Sequence, residues 1–237
     1  MIISHRHKFI FIKTRKTAGT SLEFVLANIC GPEDVITPNS NREERQRKAE
    51  GMKGAQNTAF PYKYYTITDC FNHLRKRKRI KFRNHHRAGF IHRHIPSEIW
   101  DGYFKFCFER NPYERYISLY YFLNRKGEIK ESMNDFLKWK INRSPKMSSY
   151  YTIGGQLAVD KLYRYEDLEE SFADICERLN LPSEGLDISS VRAKGTIRKD
   201  RRRPEEVLSK EVITKINKKE KDVFDLLGYQ MIDPASI

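Results

Sequence analysis

The sequence predicts an α/β layered domain with a mostly parallel central sheet, on three observations. The short apolar run Phe9–Ile12, the alternation of aromatic residues with Lys105 and Cys107 over Phe104–Phe108, and the segment Lys161–Tyr165 read as strands. Each leads within a few residues into a stretch of helical periodicity, and strand-then-helix alternation buries a parallel sheet between helices. The 237 residues then make a single domain, 1–237, large enough to bury a core without staples.

The elements follow in order. A strand over 8–13 ends in the turn Lys13-Thr14-Arg15-Lys16-Thr17-Ala18-Gly19-Thr20-Ser21, and a helix spans 19–29. Thr20 and Glu23 have the spacing of a capping box. Residues 31–61, with Gly31-Pro32 and Thr37-Pro38-Asn39-Ser40-Asn41, read as a mobile loop holding at most one short helix. A short strand is expected over Tyr62–Thr68 and a helix from Asp69. Strand 103–109 precedes helix 112–124, where Asn111 suits the N-cap, Pro112 the first helical position and Glu114 a capping box. Ser132 caps a helix running to about 141. Strand 161–165 and helix 167–179 follow, the helix stopping before Pro182. Residues 183–204 form a second, very basic mobile loop, and 205–227 read as one closing helix.

The net charge of +14 calls for anionic partners. The run Arg75-Lys76-Arg77-Lys78-Arg79-Ile80-Lys81 fits an anion, a nucleic acid or merely a solvated helix end, and no nucleic-acid motif accompanies it. Cys30, Cys70, Cys107 and Cys176 are scattered without metal-type pairing, as expected of reduced thiols. No apolar run is long enough to span a membrane and no signal segment appears, so a soluble, cytoplasmic protein is expected.

The first turn reads as an anion site. A strand, a basic hydroxyl-rich loop and a helix N-terminus combine free N–H groups with the favourable end of the helix dipole, and Gly19 lets the backbone approach a ligand closely. It is not the nucleoside-triphosphatase loop, which needs Lys after a second glycine. Here Lys16 precedes the glycine by three residues. In the second segment, Arg110 ends a strand and Ser118 lies two turns into the next helix. Ligands of open α/β sheets bind outside such strand ends.

Together the two segments resemble the sulfotransferases that use 3′-phosphoadenosine-5′-phosphosulfate (PAPS). Lys16-Thr17-Ala18-Gly19-Thr20-Ser21 looks like that family's 5′-phosphosulfate loop, with Arg15 where proline is usual. Arg110-Asn111-Pro112, Arg115, Ser118 and Tyr120 look like its 3′-phosphate element. His85, Ala88 and Ile91, then Ile95-Pro96-Ser97-Glu98-Ile99, match the pattern leading into that strand. Arg164-Tyr165-Glu166-Asp167-Leu168 and Leu227-Gly228-Tyr229 are similar to later family stretches, whereas 31–80 is unmatched. The nearest flavour is that of the Golgi carbohydrate sulfotransferases and their soluble bacterial and viral relatives.

The resemblance implies a P-loop-like sulfotransferase fold and transfer of a sulfuryl group from PAPS to an acceptor hydroxyl, releasing adenosine 3′,5′-bisphosphate. No metal is expected to be needed. It implies a hydroxyl-bearing acceptor, a carbohydrate by preference, with an acidic one compatible. Lys16 would neutralise charge on the leaving group. Arg15, Lys16, Thr17, Ala18, Gly19, Thr20 and Ser21 would hold the 5′-phosphate, and Arg110 and Ser118 the 3′-phosphate. Lys194 would cover the 3′-phosphate from a basic loop, Arg192–Arg198. His85 is the expected general base, with His86 in reserve, because an imidazole titrates near neutrality. The alternatives are a P-loop-type kinase, and a non-catalytic nucleotide- or nucleic-acid-binding protein of the same fold.

Overall fold

The computed structural model describes residues 1–181, 186, 188 and 202–237. Its strands are β1 (Ile2–Ser4), β2 (Phe9–Phe11), β3 (Val35–Ile36), β4 (Phe104–Glu109), β5 (Thr152–Ile153), β6 (Gln156–Leu157) and β7 (Lys161–Arg164). Five of them form one sheet in the order β3-β1-β2-β4-β7, and β5-β6 is a separate hairpin. β2, β4 and β7 pair in parallel, while β1 is antiparallel to both β2 and β3. Within this sheet β1 is therefore the one strand that runs against the rest.

The β2 run is continuously apolar because both faces of the sheet are buried there. Phe9, Phe11, Phe106 and Phe108 point to one face, against Leu22 and Leu26 of α1 (Gly19–Ile29). Ile10, Ile12 and Cys107 alternate to the other face, where Ile91, Tyr116 and Ile117 pack.

The remaining helices are α2 (Asn41–Ala49), α3 (Ile67–Lys76), α4 (Ala88–Arg93), α5 (Ser97–Gly102), α6 (Pro112–Leu123), α7 (Met133–Arg143), α8 (Leu168–Arg178), α9 (Pro204–Val207), α10 (Lys210–Lys219) and α11 (Lys221–Leu227). α8 supplies Phe172 and Ile175 to the first face, and α10 supplies Ile213 and Ile216 to the second.

Several expectations need correction. Residues 31–61 hold the one short helix expected, α2, opened by a full capping box between Ser40 and Glu43, and in addition the strand β3, which joins the sheet. Tyr62–Thr68 is not a strand: a single 3₁₀ turn covers Tyr62–Tyr64, and Thr66 with Asp69 caps α3 from Ile67. The closing helix is broken into α9, α10 and α11. Ser209 caps α10, and the chain turns at Glu220, whose side chain is drawn into the interior. Most of segment 183–204, with Lys194, lies outside the described residues.

Candidate functional site

The loop between β2 and α1 is anchored from beneath. The Thr14 hydroxyl donates to the Phe108 carbonyl of β4 and meets the Thr17 hydroxyl at 2.9 Å. Lys16 and Ala18 both take left-handed backbone, φ 66° and 53°, which costs a non-glycine residue on the order of 1–2 kcal/mol each. Ala18 is the N-cap of α1 and no side chain caps the helix, so the expected Thr20–Glu23 capping box does not form. Glu23 is instead fully buried, 2.7 Å from Lys13 Nζ, 3.4 Å from the Met1 amine and 3.6 Å from Arg47. Three basic groups, Lys13, Arg47 and the Met1 amine, converge on one interior carboxylate, and that draws Glu23 out of the first turn. Gly19 serves the same contact. A Cβ there would stand 2.8 Å from Lys13 Cγ, on the path of the lysine stem toward Glu23.

The uncapped helix start opens on a cavity of about 770 Å³. Arg15, Lys16, Ala18, Gly19, Thr20, Ser21 and His85 line it, whereas Thr17 does not. Basic groups from elsewhere join them: Arg83 before α4, Arg115 on α6 and Lys140 on α7. Glu43 is the acidic residue among the lining. Burial pushes its carboxyl up, but the Ser40 hydroxyl and N–H, the Lys13 charge and the Thr20 hydroxyl outweigh this, and the net shift is downward.

Lys16 extends over α6, with Nζ 4.0 Å from the Phe122 ring centroid. Burial first, then the charges of Arg110 and Arg125, lower its pKa to about 8. An amine so placed gains from an incoming anion, whose charge favours the protonated form.

His85 reaches the cavity from the turn before α4, again with left-handed backbone at φ 60°. Its Nδ1 lies 3.0 Å from the Lys13 carbonyl. A carbonyl only accepts, so the neutral ring carries its proton on Nδ1 and leaves the Nε2 lone pair free. Burial, followed by the charges of Lys13 and Arg15, lowers the pKa to about 4, and the ring is neutral at physiological pH. His86 does not line this cavity. It sits 3.9 Å from the Phe90 ring, in a neighbouring cleft that His85 also borders.

The second segment forms as its caps require. Asn111 accepts from the N–H groups of Tyr113 and Glu114, with Pro112 first in the helix. The capping-box partner differs from expectation: the Asn111 N–H donates to Glu166 at 3.0 Å, while Glu114 pairs with Arg110 at 3.1 Å. Glu166 also accepts from the Tyr229 hydroxyl, tying the end of β7 to the C-terminal segment. Arg110 lies outside the cavity lining with its guanidinium 4.9 Å from the Tyr165 ring, near enough for its charge to act on Lys16. Ser118, half-buried on α6, is likewise outside the lining. Arg115 is buried between Glu220 at 3.0 Å and Glu109 at 3.4 Å.

Sequence reasoning missed Asn39, Glu43, Arg83, Asn84 and Lys140. Asn84 donates to Asn39 at 2.7 Å, and Asn39 in turn receives Lys13, so the segment before α2 closes one wall of the cavity. The Ser40-x-x-Glu43 spacing was the available signal for that wall.

A protein of Archaeoglobus fulgidus described only as uncharacterized is 31% identical over 105 residues, covering 43% of this chain and 87% of that protein. No solved structure matches the chain. The model of the sulfotransferase family matches residues 1–230, and with the loop, the strand-end arginine and the cavity they flank, the chain belongs to the sulfotransferase family.

Proposed function

We propose that the protein is a single-domain, P-loop-like sulfotransferase that takes its sulfuryl group from PAPS and passes it to an acceptor hydroxyl, on a carbohydrate by preference. One observation carries this reading: the uncapped start of α1, Lys16 and His85 line the same cavity. Its volume of about 770 Å³ suits a nucleotide-sized ligand, and its lining is strongly basic. The residues present therefore fit the donor. The first turn of α1 and the Thr20 and Ser21 hydroxyls would hold the 5′-phosphate, and the 3′-phosphate would have to project beyond the cavity lining to meet Arg110 and Ser118.

When bound, the donor supplies an electrophilic sulfur with the nucleotide 5′-phosphate as leaving group. Lys16 holds positive charge beside that phosphate and stabilises the negative charge that grows there. His85 Nε2 accepts the acceptor proton while the Lys13 carbonyl fixes the ring. Burial is the first cause of the low basicity of free His85 and persists with ligand bound; a polyanion would offset only the Lys13 and Arg15 charges, and raise it partway. Glu43 is a poorer base, since Ser40 already occupies its carboxylate. The free thiols of Cys30, Cys70, Cys107 and Cys176 accord with a reducing, cytoplasmic setting.

The test is calorimetry with chelator present. Adenosine 3′,5′-bisphosphate should bind much more tightly than AMP or ATP. Equal affinities for the bisphosphate and AMP would remove the reading.

A further inference from the structure

Helix α3 is turned inside out. A surface helix ordinarily points its apolar stripe at the core. Here the half-buried positions are polar: Asp69, bonded to His94 at 2.8 Å, then Asn72, then His73 against the rings of Tyr62 and Tyr65. Ile67, Phe71 and Leu74 share the opposite face at i, i+4 and i+7 and are 91%, 65% and 75% exposed. Cys70 is exposed on the same side.

The helix runs directly into the basic stretch. Six of the seven residues 75–81 are Lys or Arg, and all six are exposed. Asp69 is the one acid between 67 and 81, and it is already paired with His94.

We infer that this face docks on an anionic membrane surface, with Ile67, Phe71 and Leu74 inserted among the lipids and the 75–81 cations held at the headgroups. Charge complementarity selects the occupant. A nucleic acid would use the cations and leave the apolar stripe in water, whereas an anionic bilayer takes both at once. No helix among the described residues is long and apolar enough to cross a membrane, so attachment through α3 is peripheral. The docked segment also leads toward the cavity: Arg83, Asn84 and His85, all in its lining, follow the basic stretch within a few residues. The inference stands on the exposed face alone and does not need the donor assignment.

Cys70 supplies the probe. Among the four cysteines it is the exposed one, so an environment-sensitive fluorophore reports from within the stripe. Vesicles of phosphatidylcholine with phosphatidylserine should shift its emission to the blue and sediment the protein. Phosphatidylcholine alone should do so far more weakly. Unlabelled Phe71→Ser/Leu74→Ser should lose sedimentation while keeping its thermal transition and its nucleotide binding. Replacing single arginines among Arg75, Arg77 and Arg79 by Gln should weaken partitioning about fivefold each. No shift and no sedimentation on phosphatidylserine vesicles at low salt overturns the proposal. So does sedimentation that survives Phe71→Ser/Leu74→Ser, which leaves only charge, or a dimer in solution that the double variant dissolves, which makes the face a contact between two copies.

Discussion

Lys16 gives the sharpest test of the site, because its environment makes anion binding depend on pH in a calculable way. The free amine titrates near 8, pulled down by burial and by Arg110 and Arg125. A phosphate against Nζ favours the charged form and raises that value. Nucleotide binding should then take up about half a proton at a pH equal to the free pKa. Above that pH the apparent dissociation constant rises with the fraction of neutral lysine. Between about pH 7 and about pH 9, affinity for adenosine 3′,5′-bisphosphate should fall roughly tenfold, about 1.4 kcal/mol. The ligand does not obscure this, since phosphate second ionisations lie near 6 and are complete below the window. The assay is calorimetry in two buffers of different ionisation enthalpy, which reads proton uptake directly. Lys16→Arg keeps the charge and should flatten the profile. Lys16→Ala should also flatten it, at lower affinity, and should cost turnover far more than it costs binding. A dissociation constant constant across the window, or a slope that persists in Lys16→Arg, refutes the reasoning.

Arg110→Ala should erase most of the preference for the bisphosphate over AMP, by roughly ten- to a hundredfold, the worth of a charge-assisted hydrogen bond; titration calorimetry of both nucleotides checks this. His85→Ala should lower the transfer rate about 10²–10⁴-fold with nucleotide affinity largely kept, and a variant near wild-type rate would move the base elsewhere. With His85 neutral above about pH 4 and Lys16 losing charge near 8, kcat/KM of the parent should be flat from about pH 6 to 7 and decline above 8. Arg115→Ala leaves Glu109 and Glu220 buried without their shared cation, so urea unfolding should show a loss of about 3–5 kcal/mol.

Segments whose structure is set by consecutive residues were the legible ones, for a physical reason. The β2–α1 loop and the strand end at Arg110 were readable because strand, turn and helix start follow one another within a few residues. The caps at Asn111 and Ser132 were readable on the same ground. Where the deciding partner is distant, local pattern misled. Glu23 has capping-box spacing, yet Lys13, Arg47 and the Met1 amine draw it inside. Glu220 sits in a helical pattern, yet its carboxylate accepts from the Tyr116 hydroxyl and the Met147 N–H and pairs with Arg115, and the helix breaks there. The aromatics of Tyr62–Tyr65 alternate like a strand, yet they serve as a platform for His73. That last misreading bears on the exposed stripe. Periodicity locates an apolar face but not its direction, and only the partners of Asp69 and His73 show that α3 turns its polar side inward. A helix built so gains little from the core, and none of the described residues buries its apolar stripe.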